Sequence, residues 1–298
     1  MSNLAVEFRG VGKDYPHFRL ENINLSLEAG SVMGFIGANG AGKSTTLRIL
    51  MGLVHQDRGE VTVLGSRMPQ QQAIAKRDIG YVSEDLRLYG SATLEWHMNY
   101  IRSIYPGWDS AYAAQLCRHF DLKPAQKIKG LSTGQRVKAS LLLAFARRPR
   151  LLVLDEPTTG LDPVARHEVL GAIMEAMQDE ARTILFSSHN THDVEQISDQ
   201  ITFIDRGRVI ESDDKETFLD RWRRFRLEVP PGVTLPVLPG TIATSGSARI
   251  AVVTTSRYDE SLTAAYSQAG VSVKSIDPMT LEEIFVANVH SKREEVAA

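Results

Sequence analysis

Short apolar runs alternate with turns along the first 85 residues. AVEFRG, NINLSLE, VMGFIG and GEVTVLG each read as a strand closed by glycine or charge. From about residue 86 to 148 the period lengthens. SATLEWHMNYIRSIY, SAYAAQLCRHF and GQRVKASLLLAFARR carry apolar residues three and four apart, with Pro106-Gly107 and Lys123-Pro124 between them, so three helices are predicted. LLVLD (151–155), TILFSSH (183–189) and ITFIDRG (201–207) are continuous apolar runs of the kind buried in a parallel sheet. The helical pattern PVARHEVLGAIMEAMQDE lies between the first two, which is the logic of a β-α-β unit.

The character changes around Phe218 to Arg226. PPGVTLPVLPG is rich in proline and glycine. After it come RIAVVTT, the helix candidate YDESLTAAYSQAG, VSVKSI and a last helix candidate PMTLEEIFVANVH. The pattern predicts a large α/β domain over 1–220, with a helical part near 86–148, and a small α+β domain over 221–298.

Composition narrows the function classes. The chain has 298 residues, is 43% hydrophobic and carries a net charge of −2, so charge points to no nucleic-acid partner. The one cysteine, Cys117, excludes an internal disulfide framework, fits a reducing compartment, and sits in a helical stretch as a core thiol. MSNLAVEFRG carries charge where a signal peptide needs an apolar core, and no run of 18 apolar residues occurs, so any work at a membrane goes through a partner. RWRRFR (221–226) reads as a solvated helix end feeding into a strand.

The chemistry is concentrated in three stretches. GANGAGKS, residues 37–44, fits G-x-x-x-x-G-K-[ST], follows the strand VMGFI and opens onto the helical TTLRILMGL. Its glycines let backbone N–H groups turn inward around phosphate oxygens, Lys43 reaches the β- and γ-phosphates, and the Ser44 hydroxyl holds Mg²⁺. LLVLDEP brings Asp155 to the carboxyl edge of a buried strand, where ligands bind in open α/β sheets. Asp155 is placed to hold Mg²⁺, and Glu156 points elsewhere and is placed to polarise a water. In GLSTGQRVKAS (130–140), Ser132 and Gln135 form the capping box Ser-x-x-Gln. A helix therefore starts there with free N–H groups, a second anion site.

With Lys43, the LSTGQ loop and LLVLDEP in this order, the chain closely resembles the ATP-binding-cassette ATPases over residues 4 to 215. The resemblance implies a P-loop NTPase core with a parallel sheet, an N-terminal antiparallel β subdomain and an inserted helical subdomain. It implies ATP and Mg²⁺ as ligands. Gly37, Asn39, Gly40, Ala41, Gly42, Lys43, Ser44 and Thr45 would hold the nucleotide, with Ser44, Glu84 and Asp155 around the metal. Lys43, Glu156 and His189, the last in TILFSSH, would carry the chemistry, and His192 has no motif support. Tyr15 matches the aromatic that stacks on adenine, with Phe18 a near rival. Leu131, Ser132, Thr133, Gly134 and Gln135 match the signature loop, which reaches the ATP of a second subunit. Asp162 in Gly160-Leu161-Asp162 matches the loop that crosses between subunits. Two positions depart from the family: Glu84 stands where glutamine is usual, and Thr133 where glycine is most common.

The resemblance further implies head-to-tail pairing of two such subunits, alike or different, around two ATP molecules. It also implies an integral membrane permease partner at the inner face of the cell membrane. Leu86, Leu88, Tyr89, Leu94, Trp96 and Tyr100 are candidates for core packing, with one or two left for an exposed docking patch. GYVSEDLRLYGSATLEW, QKIKGLSTGQRVKASLLLA and MTLEEIFVANV are similar to the ATPases of bacterial exporters of the bacitracin-resistance type. The rival readings are an ATPase acting on nucleic acid or ribosomes and a non-hydrolytic nucleotide sensor. The first usually has two cassettes or a long coiled coil, and neither occurs here.

Overall fold

The computed structural model describes residues 3–85, 87–177, 182–247 and 249–297. The chain divides into two compact units, 1–212 and 213–298.

The first unit begins with an antiparallel sheet. Its strands are β1 (Leu4–Tyr15), β2 (Phe18–Glu28), β4 (Arg58–Val63) and β5 (Ser66–Met68), in the order β2-β1-β4-β5. The alternation in NINLSLE turns Ile23, Leu25 and Leu27 inward onto Phe8, Val61 and Val63, so one face is core and the other is wet.

Under it lies a six-stranded sheet in the order β10-β9-β3-β8-β7-β6. Its members are β3 (Val32–Ile36), β6 (Ile79–Ser83), β7 (Leu151–Asp155), β8 (Thr183–Ser188), β9 (Gln200–Asp205) and β10 (Arg208–Asp214). β9, β3, β8, β7 and β6 run parallel. Every residue of β3, β7 and β8 is buried, which is why these segments read as unbroken apolar runs. Helices α1 (Lys43–Leu50), α6 (Pro163–Met177) and α7 (Thr191–Ile197) belong to this layer, while the short α2 (Gln72–Ala75) packs on β5. Residues 178–180 of the expected 163–180 helix lie outside the described residues.

Register brings the chemistry to one edge. Ile36 pairs with Ser188, Ser187 with Asp155, and Asp155 with Ser83. The four chains that leave this edge therefore begin with Gly37, His189, Glu156 and Glu84.

The helical part comprises α3 (Leu94–Ile104), α4 (Ser110–His119) and α5 (Thr133–Phe145). Each is capped, by Thr93, Asp109 and Ser132 accepting from Trp96, Tyr112 and Gln135 N–H, the last as its sequence predicts. Cys117 is a buried free thiol on α4, pushed up by burial. Of the patch candidates, Leu94 is core and Leu88 half-buried. Tyr89, Trp96 and Tyr100 are exposed, and Leu86 lies outside the described residues.

The second unit has α8 (Lys215–Arg221), β11 (Arg223–Glu228), β12 (Thr241–Gly246), β13 (Ile250–Thr255), α9 (Glu260–Gln268), β14 (Ser272–Pro278) and α10 (Leu281–Ala297). The sheet order is β12-β13-β11-β14. The division falls at 212/213 rather than at 220/221, because α8 with its buried Phe218 packs with α10. RWRRFR ends α8 at Arg221, buries Trp222 and continues as β11. There Phe225 and Leu227 face the core, while Arg224 and Arg226 pair with Glu283 (2.9 Å) and Asp277 (3.2 Å).

Candidate nucleotide site

The loop after β3 is shaped by its glycines. A Cβ on Gly37 would stand 2.5 Å from the Ile204 carbonyl oxygen, so only glycine lets the chain leave the sheet there. Gly42 sits at φ 114 as the N-cap of α1, a conformation that L side chains rarely adopt. Ala38, Asn39 and Gly40 are exposed, Ala41 and Gly42 are buried, and Ser44 and Thr45 are half-buried at the helix start. Lys43 is buried. Its Nζ donates to the carbonyl oxygens of Gly37 (2.6 Å) and Ala38 (3.3 Å) and contacts Glu156 Oε1 at 3.0 Å. The cation is thus folded over the mouth of its own loop.

Two carboxylates stand side by side at the end of β7 with opposite electrostatics. Asp155 is 4% exposed and takes a hydrogen bond from Ser187 Oγ at 2.6 Å on Oδ1. Burial pushes its carboxyl above the usual range, against the hydroxyls of Ser187 and Ser44 and the Lys43 ammonium. Glu156 has φ 52, a left-handed conformation costly for a residue with a Cβ. Its N–H is held by the Ser187 carbonyl oxygen (3.1 Å) and Oγ (3.2 Å), which fixes that turn. The turn aims its side chain away from Asp155. Oε2 receives the Thr159 hydroxyl at 2.9 Å and lies 2.8 Å from His189 Nδ1. Burial works to raise this carboxyl, but the Lys43 ammonium and the bonds from Thr159 and His189 outweigh it and hold it below the usual range.

The structure therefore gathers Lys43, Ser44, Asp155, Glu156 and His189. The remaining expected residues hold the following positions. Ser132 and Gln135 complete their capping box in both directions, Gln135 N–H to Ser132 Oγ (3.2 Å) and Ser132 N–H to Gln135 Oε1 (3.0 Å). Gly134 packs beside Ala165, where a Cβ would come within 3.2 Å. Leu131 is buried, while Ser132 and Thr133 are exposed. Asp162 Oδ1 accepts the N–H groups of Val164 and Ala165, both at 3.0 Å, and so caps α6. Exposed Glu84 lines a cavity of about 500 Å³ together with Glu156, Thr133 and Arg136. Tyr15 is exposed at the end of β1, with its ring 6.3 Å from that of Phe18, which packs on the core beside Gly42. His192 is exposed and contacts Gln196.

Several contributors lack a motif. Ser187 bridges Asp155 and the Glu156 backbone, Thr159 orients Glu156, and Arg136 donates to the Leu131 carbonyl (2.7 Å) and Thr133 Oγ1 (3.1 Å). Two serines closing the apolar strand TILFSS, and an arginine one turn after Thr133, are the signals that mark them.

Residues 20–159 match the family profile described as ABC transporter. The chain is 29% identical over 275 residues to the ABC transporter ATP-binding protein YtrB of Bacillus subtilis (strain 168), spanning 92% of this chain and 94% of that one. It is 33% identical over 217 residues to Nod factor export ATP-binding protein I of Burkholderia orbicola (strain AU 1054), spanning 70% and 71%. Among solved structures, the ATP-binding subunit of an ABC transporter superposes with a TM-score of 0.66 at 28% identity, covering 72% of this chain and 92% of that one. A dimeric ATP-binding cassette bound to ADP and Pi shares the fold, with a TM-score of 0.63 at 22% identity. The chain is thus an ATPase and a member of the ABC transporter ATP-binding family.

Proposed function

We propose that this chain hydrolyses ATP at the edge formed by Lys43, Asp155, Glu156 and His189 and uses the cycle to drive export through a separate membrane subunit. The observation that carries the reading is the Glu156 carboxylate, held between the Lys43 ammonium and His189 by a left-handed turn. That is a base beside a phosphate cradle.

The nucleotide phosphates enter the turn 37–45, where backbone N–H groups and the α1 N-terminus favour negative charge. They compete with Glu156 for Lys43. Once Lys43 turns to the phosphates, Glu156 is released to accept a proton from the attacking water, and His189 faces the γ-phosphate. The Thr159 hydroxyl keeps Glu156 oriented, and Tyr15 offers its exposed ring to the base.

The residues at the end of β7 fit Mg²⁺. The Ser44 hydroxyl lies close enough to lower the Asp155 carboxyl, so a hydroxyl and a carboxylate oxygen, both hard donors, lie within one metal's reach. Among the described residues no three His, Cys, Asp or Glu side chains form a metal cage, which suits an ion completed by phosphate oxygens and water. Ser44, Asp155 and Glu84 would hold it, and it would neutralise charge on the phosphates.

The signature residues Ser132, Gly134 and Gln135 make their own contacts away from Lys43, so they serve the ATP of a second subunit, a copy or a relative. ATP then joins the two, and phosphate loss lets them part. For the membrane subunit the exposed rings of α3 supply the surface. Trp96 and Tyr100 stack at 5.3 Å, Tyr89 meets Trp96 edge-on at 5.9 Å, and Tyr89 N–H donates to His97 Nε2 (3.0 Å). Pressure on α3 is thereby passed to the stretch that carries Glu84, Arg87, Leu88 and Gly90, which line the Glu156 cavity. No helix of the described residues is long and apolar enough to cross a membrane, so the membrane work rests on that partner, with the chain at the inner membrane face. Export is supported by the similarity to the Nod factor export protein.

The test is ATPase activity of the purified chain beside its Glu156→Gln variant, together with detergent extraction of membranes carrying the tagged chain. Equal turnover by the two proteins would defeat the Glu156 assignment. Failure to recover an integral membrane protein with the chain would defeat the transporter reading.

A further inference from the structure

A second buried carboxylate lies close behind this edge and belongs to none of the expected motifs. Asp193 is 1% exposed, on the first turn of α7 and four residues past His189. Its Oδ2 accepts the Thr158 hydroxyl at 2.7 Å, and its Oδ1 accepts Arg166 Nε at 2.6 Å. Thr158 is two residues past Glu156. Arg166 is on the first turns of α6, and its N–H donates to the Asp162 carbonyl oxygen at 2.9 Å. The turn that carries Asp193 is itself fixed, since Asn190 Oδ1 accepts the N–H groups of His192 (3.0 Å) and Asp193 (3.4 Å).

One carboxylate therefore ties three segments: the turn after His189, the loop after Glu156, and the helix start after Asp162. A buried ion pair is a poor device for stability, because desolvation offsets most of its Coulomb gain. It is a good device for geometry, since each oxygen has one direction in which to accept. The Glu156–Thr159–His189 contacts depend on how the 156–160 loop meets the His189 turn, and Thr158–Asp193 is the side-chain bond that joins the two from behind.

We propose that Asp193 is a positioning residue for ATP hydrolysis. Acting through Thr158 and Arg166, it holds Glu156 in register with His189 and sets the presentation of Asp162. The proposal rests on the roles assigned above to Glu156 and His189. Displacing a catalytic group by about 1 Å costs on the order of 10²-fold in rate, so loss of one tether is expected to cost about ten- to a hundredfold.

The experiment measures kcat, KM for ATP and Tm for the full-length chain and four variants: Thr158→Val, Asp193→Asn, the double variant and Glu156→Gln. The expected result is a kcat lowered about ten- to a hundredfold in Thr158→Val and Asp193→Asn, with KM little changed. The double variant should be no worse than Asp193→Asn, because both act on one link. Thr158→Val removes a single hydroxyl and leaves the Asp193–Arg166 pair, so it keeps the proposal open to refutation should Asp193→Asn fail to fold. Wild-type kcat in Thr158→Val beside an inactive Glu156→Gln overturns the proposal and leaves the Glu156 reading intact. A loss confined to KM, or one that follows Tm in every variant, also overturns it. Full turnover by Glu156→Gln strikes the Glu156 reading instead.

Discussion

Lys43 Nζ stands 3.0 Å from Glu156 Oε1, so the cation proposed to serve the phosphates is held by the carboxylate proposed to serve the water. The two roles exclude each other until nucleotide arrives. Replacing Glu156 with glutamine removes the competing charge and the base together. Turnover of Glu156→Gln should fall by about 10²–10⁴-fold. Its affinity for ATP should equal or exceed that of the wild type, and its ATP-bound two-subunit form should persist on size exclusion. Weaker ATP binding by this variant would mean that Glu156 does not compete with phosphate.

Lys43→Ala probes the other partner. A charge-assisted hydrogen bond contributes about 1.5–3 kcal/mol, so ATP should bind about ten- to a hundredfold more weakly, as read by nucleotide titration. Glu156 would then keep Thr159 and His189 but lose the ammonium that lowers its carboxyl. Unchanged affinity would remove the phosphate-loop assignment of Lys43.

Asp155 carries an opposite expectation. Its burial disfavours the ionised form, against the Ser187 and Ser44 hydroxyls and the Lys43 ammonium, which lower it. Asp155→Asn removes the buried charge while leaving an oxygen for Ser187, so the nucleotide-free protein should melt higher. A gain of 1 kcal/mol corresponds to about 2–4 °C at this domain size. The same variant should lose Mg²⁺-dependent tightening of ATP binding. Calorimetry without nucleotide, then with ATP in the presence of magnesium or of chelator, separates the two effects. A lower melting point would show that Asp155 stabilises the fold rather than serving the site.

Much of this was legible in the sequence, for local reasons. Ser132 and Gln135 are three apart, and both bonds of their box form. GANGAGKS lies between a strand and a helix, and its Gly37 and Gly42 occupy places that a Cβ would foul. The unread parts depend on contacts between distant segments. The left-handed Glu156 is set by Ser187 on a neighbouring strand, and Asp193 looks like an ordinary acidic first-turn residue until Thr158 and Arg166 reach it. β12, TIATSG, has no large alternating pattern because it is an exposed edge strand, and its position follows only from pairing with β13. Thr133, a departure from the family, receives Arg136 on its hydroxyl, a bond that glycine cannot accept.

The signature loop has a structural task and a proposed chemical one, and substitutions separate them. Ser132→Ala deletes the cap of α5, which costs about 1 kcal/mol, or roughly 2–4 °C in Tm. It should also abolish ATP-dependent pairing of subunits while leaving ATP binding by the single subunit intact. Thr133→Ala deletes only the Arg136 contact, and Arg136 keeps the Leu131 carbonyl. That variant should pair and turn over within about threefold of wild type, since exposed substitutions usually cost under about 0.5 kcal/mol. Analytical ultracentrifugation with ATP in the Glu156→Gln background reads both. Normal pairing by Ser132→Ala would confine Ser132 to its capping role.

The stacked rings of α3 allow a test that leaves the chemistry untouched. Trp96 and Tyr100 are 45% and 51% exposed and share no contact with Lys43, Asp155 or Glu156. Replacing both with alanine removes a surface patch, not core. The fold should change by about 0.5 kcal/mol or less per site, and ATP hydrolysis by the isolated chain should be unaltered. Recovery of the membrane subunit with the chain should fall at least tenfold, because aromatic anchors at the centre of an interface typically contribute 2 kcal/mol or more. Retained recovery with lost hydrolysis would reverse the assignment. It would place these rings in the path from residues 84–90 to Glu156 rather than at the membrane partner.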